Sequence, residues 1–221
     1  MNVIFLDFDG VLCTYHFKSN QDIENKVKIL SYICQKLNCK VVIESAHKDD
    51  IDEKTLEVDT TYGSYAKHVL DLLRKHGIEV IGRTPVLTSK YSYNHLNKEF
   101  IDKLKSDYFK TRKYIEQTKL SDYLNKYLYS KVNIWKEDEI RIYLMRHLEI
   151  KHYVILDDDD LGPLKSDLNK VRDHLVQTIN YDEQHPENEG LLLCHEEEIS
   201  NILKKENKIR SYVLRMNNKN K

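Results

Sequence analysis

The stretch Val3-Ile4-Phe5-Leu6-Asp7-Phe8-Asp9-Gly10-Val11-Leu12, near the start of a chain of 221 residues, decides the predicted fold. Four apolar residues that run into an acidic pair are typical of a buried strand with a polar end. Because side chains alternate along a strand, Asp7 and Asp9 share a side if the strand continues that far. Gly10 then permits a tight exit at which backbone and ligand approach closely. An acidic residue that merely ends a strand explains one aspartate, but it explains the whole Asp-x-Asp-Gly pattern poorly.

Short apolar runs bounded by polar residues predict five buried strands. These strands are Asn2–Leu6, Lys40–Ile43, Ile78–Ile81, Tyr153–Leu156 and His174–Gln177. Apolar residues at helical spacing predict helices between them, along Ile23–Leu37, Ala66–Leu73 and Ile140–Leu148. Alternation of strands and helices is typical of right-handed βαβ units. The sequence therefore predicts an α/β fold with a doubly wound, mostly parallel sheet.

Polar side chains follow four of the five predicted strands. They are Asp7 and Asp9, Ser45, Arg83-Thr84, and the run from Asp157 to Asp160. Ligands of such sheets bind beyond the carboxyl ends of the strands, so we expect a site there. Four successive carboxylates at a buried strand end are unfavourable without a cation. They therefore indicate a metal site, the alternative being a solvated acidic turn that caps the next helix.

Residues 86–131 do not follow the strand–helix alternation. Their apolar residues have helical spacing, and no strand is predicted among them. They contain seven of the 15 tyrosines, and ten Lys or Arg against five Asp or Glu. Two interpretations remain open: a surface that binds phosphate and stacks on bases, or buried tyrosines beneath a solvated lysine face. We interpret the segment as an inserted helical subdomain.

The overall charge and the cysteines do not by themselves identify a class of partner. Lys and Arg (35) balance Asp and Glu (36), so the net charge of −1 does not indicate a nucleic-acid or membrane partner. The cysteines have no metal-binding spacing, which predicts reduced thiols; they are Cys13, Cys34, Cys39 and Cys194. No apolar segment approaches the roughly 20 residues that span a bilayer, and the chain start has no signal-peptide core. We expect a cytoplasmic protein without a membrane partner.

The acidic motif resembles the first motif of the haloacid dehalogenase superfamily, a strand followed by Asp-x-Asp-x-Thr/Val. Asp7-Phe8-Asp9-Gly10-Val11 matches this pattern. The resemblance implies that Asp7 attacks phosphorus and forms an aspartyl phosphate. It also implies that Asp9 protonates the leaving group and then activates water. These are the roles of a carboxylate nucleophile beside a general acid/base.

Two later segments are similar to the phosphate-binding motifs of the same superfamily. Val41-Val42-Ile43-Glu44-Ser45 implies that Ser45 binds a phosphoryl oxygen, although a serine after a strand is more often a helix cap. Lys136-Glu137-Asp138-Glu139-Ile140 resembles the Arg/Lys-x-x-Glu-Ile segment that precedes the last motif. The resemblance implies that Lys136 offsets the charge of nucleophile and phosphate. Lys131 is the alternative candidate.

The last motif of the superfamily is an acidic pair after a strand, which Asp157 and Asp158 match. With Asp7 and Asp9 they are the metal ligands that the resemblance implies. Magnesium prefers hard oxygen ligands and keeps several waters, so a few carboxylates and a phosphate oxygen suffice. The implied cofactor is Mg²⁺. The next two aspartates of the run are expected to belong to the loop.

Further segments resemble one subgroup of the superfamily. They are Ile78–Pro85, His174–Thr178 and Glu189-Gly190-Leu191. The subgroup includes small stand-alone phosphatase-like proteins and the phosphatase domains of RNA-repair proteins. The resemblance covers residues 1–85 and 132–203, which we expect to form the core.

The chain departs from the subgroup pattern at three places. Glu44 stands where the subgroup has a serine, Ala46-His47-Lys48 where it has Ser-Trp-Arg, and Ile179-Asn180 where it has Thr-Asp. Because of these departures, the resemblance is a weaker guide to the substrate than to the mechanism.

The resemblance implies a magnesium-dependent phosphohydrolase that acts on a phosphomonoester. Residues 86–131 lie where the superfamily often inserts a cap over the active site, and residues 204–221 are expected to form a basic C-terminal helix or tail. The expected partner is a phosphorylated small molecule or nucleotide, and a nucleic-acid end is a weaker expectation. A receiver-like or non-catalytic phosphate-binding protein is the alternative. A hydrolase releases phosphate repeatedly, whereas a receiver holds it stoichiometrically.

Overall fold

The structure is a computed structural model that describes residues 1–59, 63–86, 88–89, 92–96, 136–159, 161 and 171–219. Within these residues the strands are β1 (Asn2–Leu6), β2 (Cys39–Ile43), β3 (Val80–Arg83), β4 (Thr88–Ser89), β5 (Ser92–Leu96), β6 (His152–Asp157) and β7 (Leu175–Gln177). The helices are α1 (Asn20–Leu37), α2 (Ser64–Lys75), α3 (Lys136–Arg146), α4 (His195–Ile202) and α5 (Lys208–Lys219). Short 3₁₀ turns lie at Ala46–Asp50, Val171–His174 and Pro186–Asn188.

Five of the described strands form one parallel sheet in the order β3-β2-β1-β6-β7. β1 is the central strand, and it pairs with β2 on one side and with β6 on the other. Its residues Val3, Ile4, Phe5 and Leu6 are fully buried. A parallel strand covered on both faces is expected to have such a continuous apolar run. The predicted α/β fold with a doubly wound, mostly parallel sheet is confirmed.

Helices cover both faces of the sheet. On one face, α1, α2 and α4 pack against alternate residues of the strands, such as Ile4 and Leu6. On the other face, α3 and α5 pack against the intervening residues, such as Val3 and Phe5. The alternation of side chains along β1 thus supplies both hydrophobic cores.

The third strand begins later than the sequence pattern predicts, at Val80 instead of Ile78. The reason lies in the end of α2, where Gly77 has a φ of +72°. The Gly77 N–H donates to the Arg74 carbonyl, and the Ile78 N–H donates to the Leu73 carbonyl. This is the hydrogen-bond pattern of a Schellman motif. Ile78 therefore belongs to the helix end, where its buried side chain joins the core.

The expectation of no strand in residues 86–131 is wrong at the start of that segment. β4 and β5 pair there as a separate antiparallel ribbon. Antiparallel strands need only a very short connection, so such a ribbon forms locally without the sheet. The apolar residues that predict helices, from Phe100 to Leu128, lie outside the described residues, as does Lys131. The extent of the insertion and its role as a cap stay predictions.

Among the helices that the structure describes, none combines the length and the apolar character that crossing a bilayer requires.

Gly82 of β3 keeps α3 close to the sheet. A Cβ added at this glycine would lie 2.4 Å from the hydroxyl oxygen of Tyr143 on α3. The Tyr143 ring is enclosed, because it stacks on His147 at 4.1 Å and meets Phe5 edge-on at 5.7 Å between ring centroids. The close approach of α3 at this point thus depends on the missing side chain.

We predict that Gly82→Ala lowers the free energy of unfolding by about 1–3 kcal/mol, because the tyrosine must move within a packed core. The double variant Gly82→Ala/Tyr143→Phe lacks the hydroxyl and should recover most of this loss. Urea denaturation of both variants and of Tyr143→Phe alone measures the coupling. If Gly82→Ala lowers the free energy of unfolding equally with and without the hydroxyl, the Tyr143 hydroxyl is not the group that the added Cβ displaces.

Candidate active site

Asp7 follows the central strand directly and is almost completely buried. Its backbone N–H donates to the Leu156 carbonyl at 3.0 Å, which continues the pairing of β1 with β6. Its Oδ1 accepts a hydrogen bond from the Phe8 N–H at 2.7 Å, and its Oδ2 contacts the Lys136 ammonium. A buried carboxylate with a fixed orientation results.

Gly10 closes the turn after Asp7 and has a φ of +71°. A Cβ at this position would lie 2.1 Å from Cγ of Asp158. The Gly10 carbonyl accepts a hydrogen bond from the Thr178 hydroxyl at 2.7 Å, and the Thr178 N–H donates to the Asp157 carbonyl at 2.9 Å. The close approach expected at Gly10 is therefore to the acidic pair of the chain itself, and Thr178 links the two strand ends.

Lys136, the first residue of α3, lies between two carboxylates. Its Nζ contacts Asp7 Oδ2 and lies 2.9 and 3.0 Å from the two carboxylate oxygens of Asp157. Asp157 is fully buried at the end of β6, and Asp158 follows it half-buried. The structure therefore brings the predicted Lys136 together with three of the predicted acidic residues.

The carboxylates of Asp7, Asp157 and Asp158 each offer an oxygen within 4.8 Å of the others. Burial raises the pKa of Asp7, against the opposing effects of Lys136, the Phe8 N–H and the Ser45 hydroxyl. Burial and the neighbouring Asp7 charge raise the pKa of Asp157 to about 8. Burial, with Asp7 and Asp159 adding to it, also raises the pKa of Asp158. Negative charge is thus in excess around a single ammonium group.

This donor set fits Mg²⁺. Hard carboxylate oxygens converge from two neighbouring strand ends. Burial and the charge of Asp7 raise the pKa of Asp157, and a divalent cation would oppose both effects. The sequence also predicted Asp9 as a ligand, but its carboxylate is not part of this group. The Asp9 side chain is 57% exposed, and its Oδ2 lies 3.1 Å from Nε2 of His47. β1 ends at Leu6, so the alternation of side chains along a strand does not extend to the two aspartates.

Ser45 is fully buried and lies two residues after the end of β2. Its hydroxyl oxygen accepts from the His47 N–H at 3.4 Å as the N-cap of the 3₁₀ turn Ala46–Asp50. The same side chain hydrogen-bonds the carboxylate of Asp7 and so opposes the rise in pKa that burial causes there. Ser45 is therefore both a cap and a neighbour of the predicted nucleophile.

A buried ionic network, which the sequence did not predict, lies beside Ser45. The Lys48 ammonium lies 2.8 Å from Glu44 Oε1 and 2.5 Å from Glu139 Oε2, and all three side chains are buried. The Thr84 hydroxyl donates to the other oxygen of Glu44. Burial lowers the pKa of Lys48, but the two carboxylates raise it more strongly, so the lysine stays charged.

This network connects the phosphate-binding candidates to one another. Glu44 precedes Ser45 in the chain, and Glu139 lies one helical turn after Lys136. Lys48 therefore ties the end of β2 to the first turn of α3. The i, i+4 spacing of Glu44 and Lys48 is visible in the sequence, but the contact across 91 residues is not.

Arg83, which the sequence places with Thr84 at the end of β3, hydrogen-bonds to backbone carbonyls. Arg83 donates from Nε to the Ile51 carbonyl at 2.5 Å and from Nη1 to the Thr84 carbonyl at 3.0 Å. These contacts hold the loop after β2 against β3. Arg83 therefore has a structural role, whereas Thr84 takes part in the network around Lys48.

Comparison with known proteins gave one match. A family model described as "HAD domain in Swiss Army Knife RNA repair proteins" matches residues 3–182 of the chain. The matched range contains Asp7, Ser45, Lys136 and both residues of the acidic pair. Neither the curated proteins nor the solved structures contained a match.

We predict that Lys48→Met lowers the free energy of unfolding by about 3–5 kcal/mol, because Glu44 and Glu139 lose the cation that they share in a buried site. The matched control is Lys67→Met, which removes an i, i+4 pair with Asp71 in which both side chains are about half exposed. This control should change stability far less. Chemical denaturation measures both, and equal effects would show that the buried network does not stabilise the fold.

Proposed function

Since the chain belongs to the family of HAD (haloacid dehalogenase) domains in Swiss Army Knife RNA repair proteins, we propose that it is a magnesium-dependent phosphohydrolase acting on a phosphomonoester. The observation that carries this proposal is the contact of one ammonium group, Lys136, with both Asp7 and Asp157. A nucleophile, a countercharge and an acidic metal site thus meet at the carboxyl ends of neighbouring strands, where sheets of this kind bind ligands.

In the first step that we propose, a carboxylate oxygen of Asp7 attacks phosphorus. The bond from phosphorus to the leaving oxygen breaks, and Asp9 gives its proton to that oxygen. In the second step a water oxygen attacks phosphorus, its proton passes to Asp9, and the bond to Asp7 breaks. Inorganic phosphate leaves, and both aspartates return to their starting states.

The remaining residues hold and balance charge. Lys136 offsets the negative charge of Asp7 and of the phosphoryl group, and the Ser45 hydroxyl donates to a phosphoryl oxygen. Asp7, Asp157 and Asp158 would hold the magnesium ion, which supplies positive charge to the phosphoryl oxygens. The Phe8 N–H fixes the Asp7 carboxylate from the other side. Asp9 stays outside the metal set because its carboxylate faces His47.

The substrate class that we propose is a nucleotide or a phosphorylated nucleic-acid end. The description of the family, which refers to RNA repair, supports this class. The excess of basic residues in segment 86–131 is consistent with a phosphate-rich ligand. Phosphate release from nucleotides, oligonucleotide ends and sugar phosphates, measured in parallel, tests it. A preference for sugar phosphates would favour a small phosphometabolite instead.

We predict that Asp7→Asn abolishes turnover without preventing folding, because an amide cannot attack phosphorus. Asp9→Asn should lower kcat on alkyl phosphates by about 10²–10⁴-fold, since the leaving oxygen then lacks its proton donor. p-Nitrophenyl phosphate needs less protonation and should recover part of the rate. Thermal melting verifies the fold. Phosphate release by Asp7→Asn would contradict the mechanism, and stoichiometric phosphorylation without release in the wild type would favour a receiver-like protein.

We predict that EDTA abolishes activity and that Mg²⁺ restores it. Asp157→Ala and Asp158→Ala should each raise the Mg²⁺ concentration required for half-maximal activity. Asp159→Ala is the matched control, because this exposed neighbour lies outside the group of three carboxylates. An equal effect of Asp159→Ala would mean that the acidic run is assigned incorrectly.

The same site predicts a link between pH and stability. The pKa of Asp157 is raised from 3.8 to about 8 in the folded state. A group with a raised folded-state pKa contributes stability below its unfolded value and loses this contribution as pH rises through the folded value. The melting temperature in EDTA should therefore fall as pH rises from 4 to about 8. Because protons compete with the metal for the carboxylates, Mg²⁺ should increase the melting temperature more at pH 8 than at pH 5. A pH-independent effect of Mg²⁺ would contradict this.

A further inference from the structure

His47 lies at the mouth of the site, in the 3₁₀ turn Ala46–Asp50 that follows β2. Its imidazole Nε2 is 3.1 Å from Asp9 Oδ2. Its backbone N–H donates to the Ser45 hydroxyl oxygen at 3.4 Å. The residue therefore contacts two candidates of the site at once, one through its ring and one through its backbone.

Two aromatic side chains fix the orientation of the His47 ring. The ring stacks on Phe8, with 6.4 Å between centroids and an interplanar angle of 17°. It also meets the ring of Tyr65 edge-on at 4.8 Å. Phe8 is fully buried, and Tyr65 meets it edge-on at 6.2 Å, so the support itself is packed. The direction in which Nε2 points is thus set by packing.

Asp9 has no comparable support of its own. Its side chain is 57% exposed, and in the part of the chain that the structure describes His47 is its hydrogen-bond partner. An exposed carboxylate is otherwise free to change rotamer. A catalytic group displaced by about 1 Å can lose about 10²-fold in rate. Proton transfer by Asp9 therefore requires a residue that holds its carboxylate.

We propose that His47 is the positioning residue of Asp9, and this inference rests on the proposed phosphohydrolase function. Nε2–H of His47 donates to Oδ2 of Asp9, which leaves Oδ1 as the oxygen that carries the proton. In the first step that proton passes from Oδ1 to the leaving oxygen, and in the second step a proton of the attacking water returns to it. His47 itself neither gains nor loses a proton.

The competing interpretation is that His47 only packs against Phe8 and Tyr65, and that its contact with the exposed Asp9 has little energetic value. Two variants separate these possibilities. His47→Phe keeps an aromatic ring on Phe8 but has no donor. His47→Gln loses the ring but places a side-chain N–H near the position of Nε2.

The test compares kcat for two probes, β-glycerophosphate, whose alkoxide leaving group needs a proton, and p-nitrophenyl phosphate, whose leaving group needs it far less. His47→Phe should lower kcat on β-glycerophosphate by about 10–10²-fold and on p-nitrophenyl phosphate much less, with little change in KM. His47→Gln should recover most of the rate on β-glycerophosphate. Thermal melting of each variant verifies that it is folded.

A matched control lies near the amino-terminal ends of the strands, in the connection between α3 and β6. His147 stacks on Tyr143 at 4.1 Å and pairs with Glu149 at 2.9 Å, and His147→Phe should leave both rates unchanged. Equal losses of His47→Phe on the two probes, or failure of His47→Gln to recover the rate, would overturn the positioning role. Persistent turnover by Asp7→Asn would overturn the proposed function instead, so the two failures are distinguishable.

Discussion

The ammonium group of Lys136, which lies against Asp7 and Asp157, is the interaction on which the arrangement of the site depends. The two carboxylates emerge from the neighbouring parallel strands β1 and β6, whose pairing forces them together. Buried charges of one sign at such a distance repel each other strongly in a medium of low dielectric constant. One lysine offsets part of this repulsion, while burial and the charge of Asp7 still raise the pKa of Asp157. The fold thus produces a group of three carboxylates that could hold a metal ion.

A second group of contacts keeps that lysine in position. α3 delivers Lys136 from its first residue, and Glu139 one turn later is tied through Lys48 to Glu44 at the end of β2. A buried triad of this kind does not by itself imply high stability, because desolvation offsets much of the attraction. The triad does, however, define the geometry of the site. It fixes the first turn of α3 relative to Ser45, so that the two phosphate-binding candidates form one unit with Asp7.

Two residues that depart from the pattern of the RNA-repair subgroup, Glu44 and His47, take part in the contacts around the site. Glu44, in place of a serine, is paired with Lys48, and His47, in place of a tryptophan, is paired with Asp9. Neither change disturbs the contact of Lys136 with the acidic residues. Both positions thus carry side chains that contact other residues of the site.

The sequence by itself determined the five strands of the parallel sheet, because a strand buried on both faces must be a continuous apolar run. It also placed Asp7 and the pair Asp157-Asp158 together, because the carboxyl ends of parallel strands meet at one edge, whereas Lys136 was a candidate only through the family resemblance. Only the tertiary structure decided that Asp9 contacts His47, since the strand ends at Leu6 and its alternation does not reach Asp9. It likewise decided that Lys48 meets Glu139, a contact across 91 residues that no local spacing encodes. Periodicity reports the local environment of a residue, whereas partners distant in sequence are set by how the elements pack.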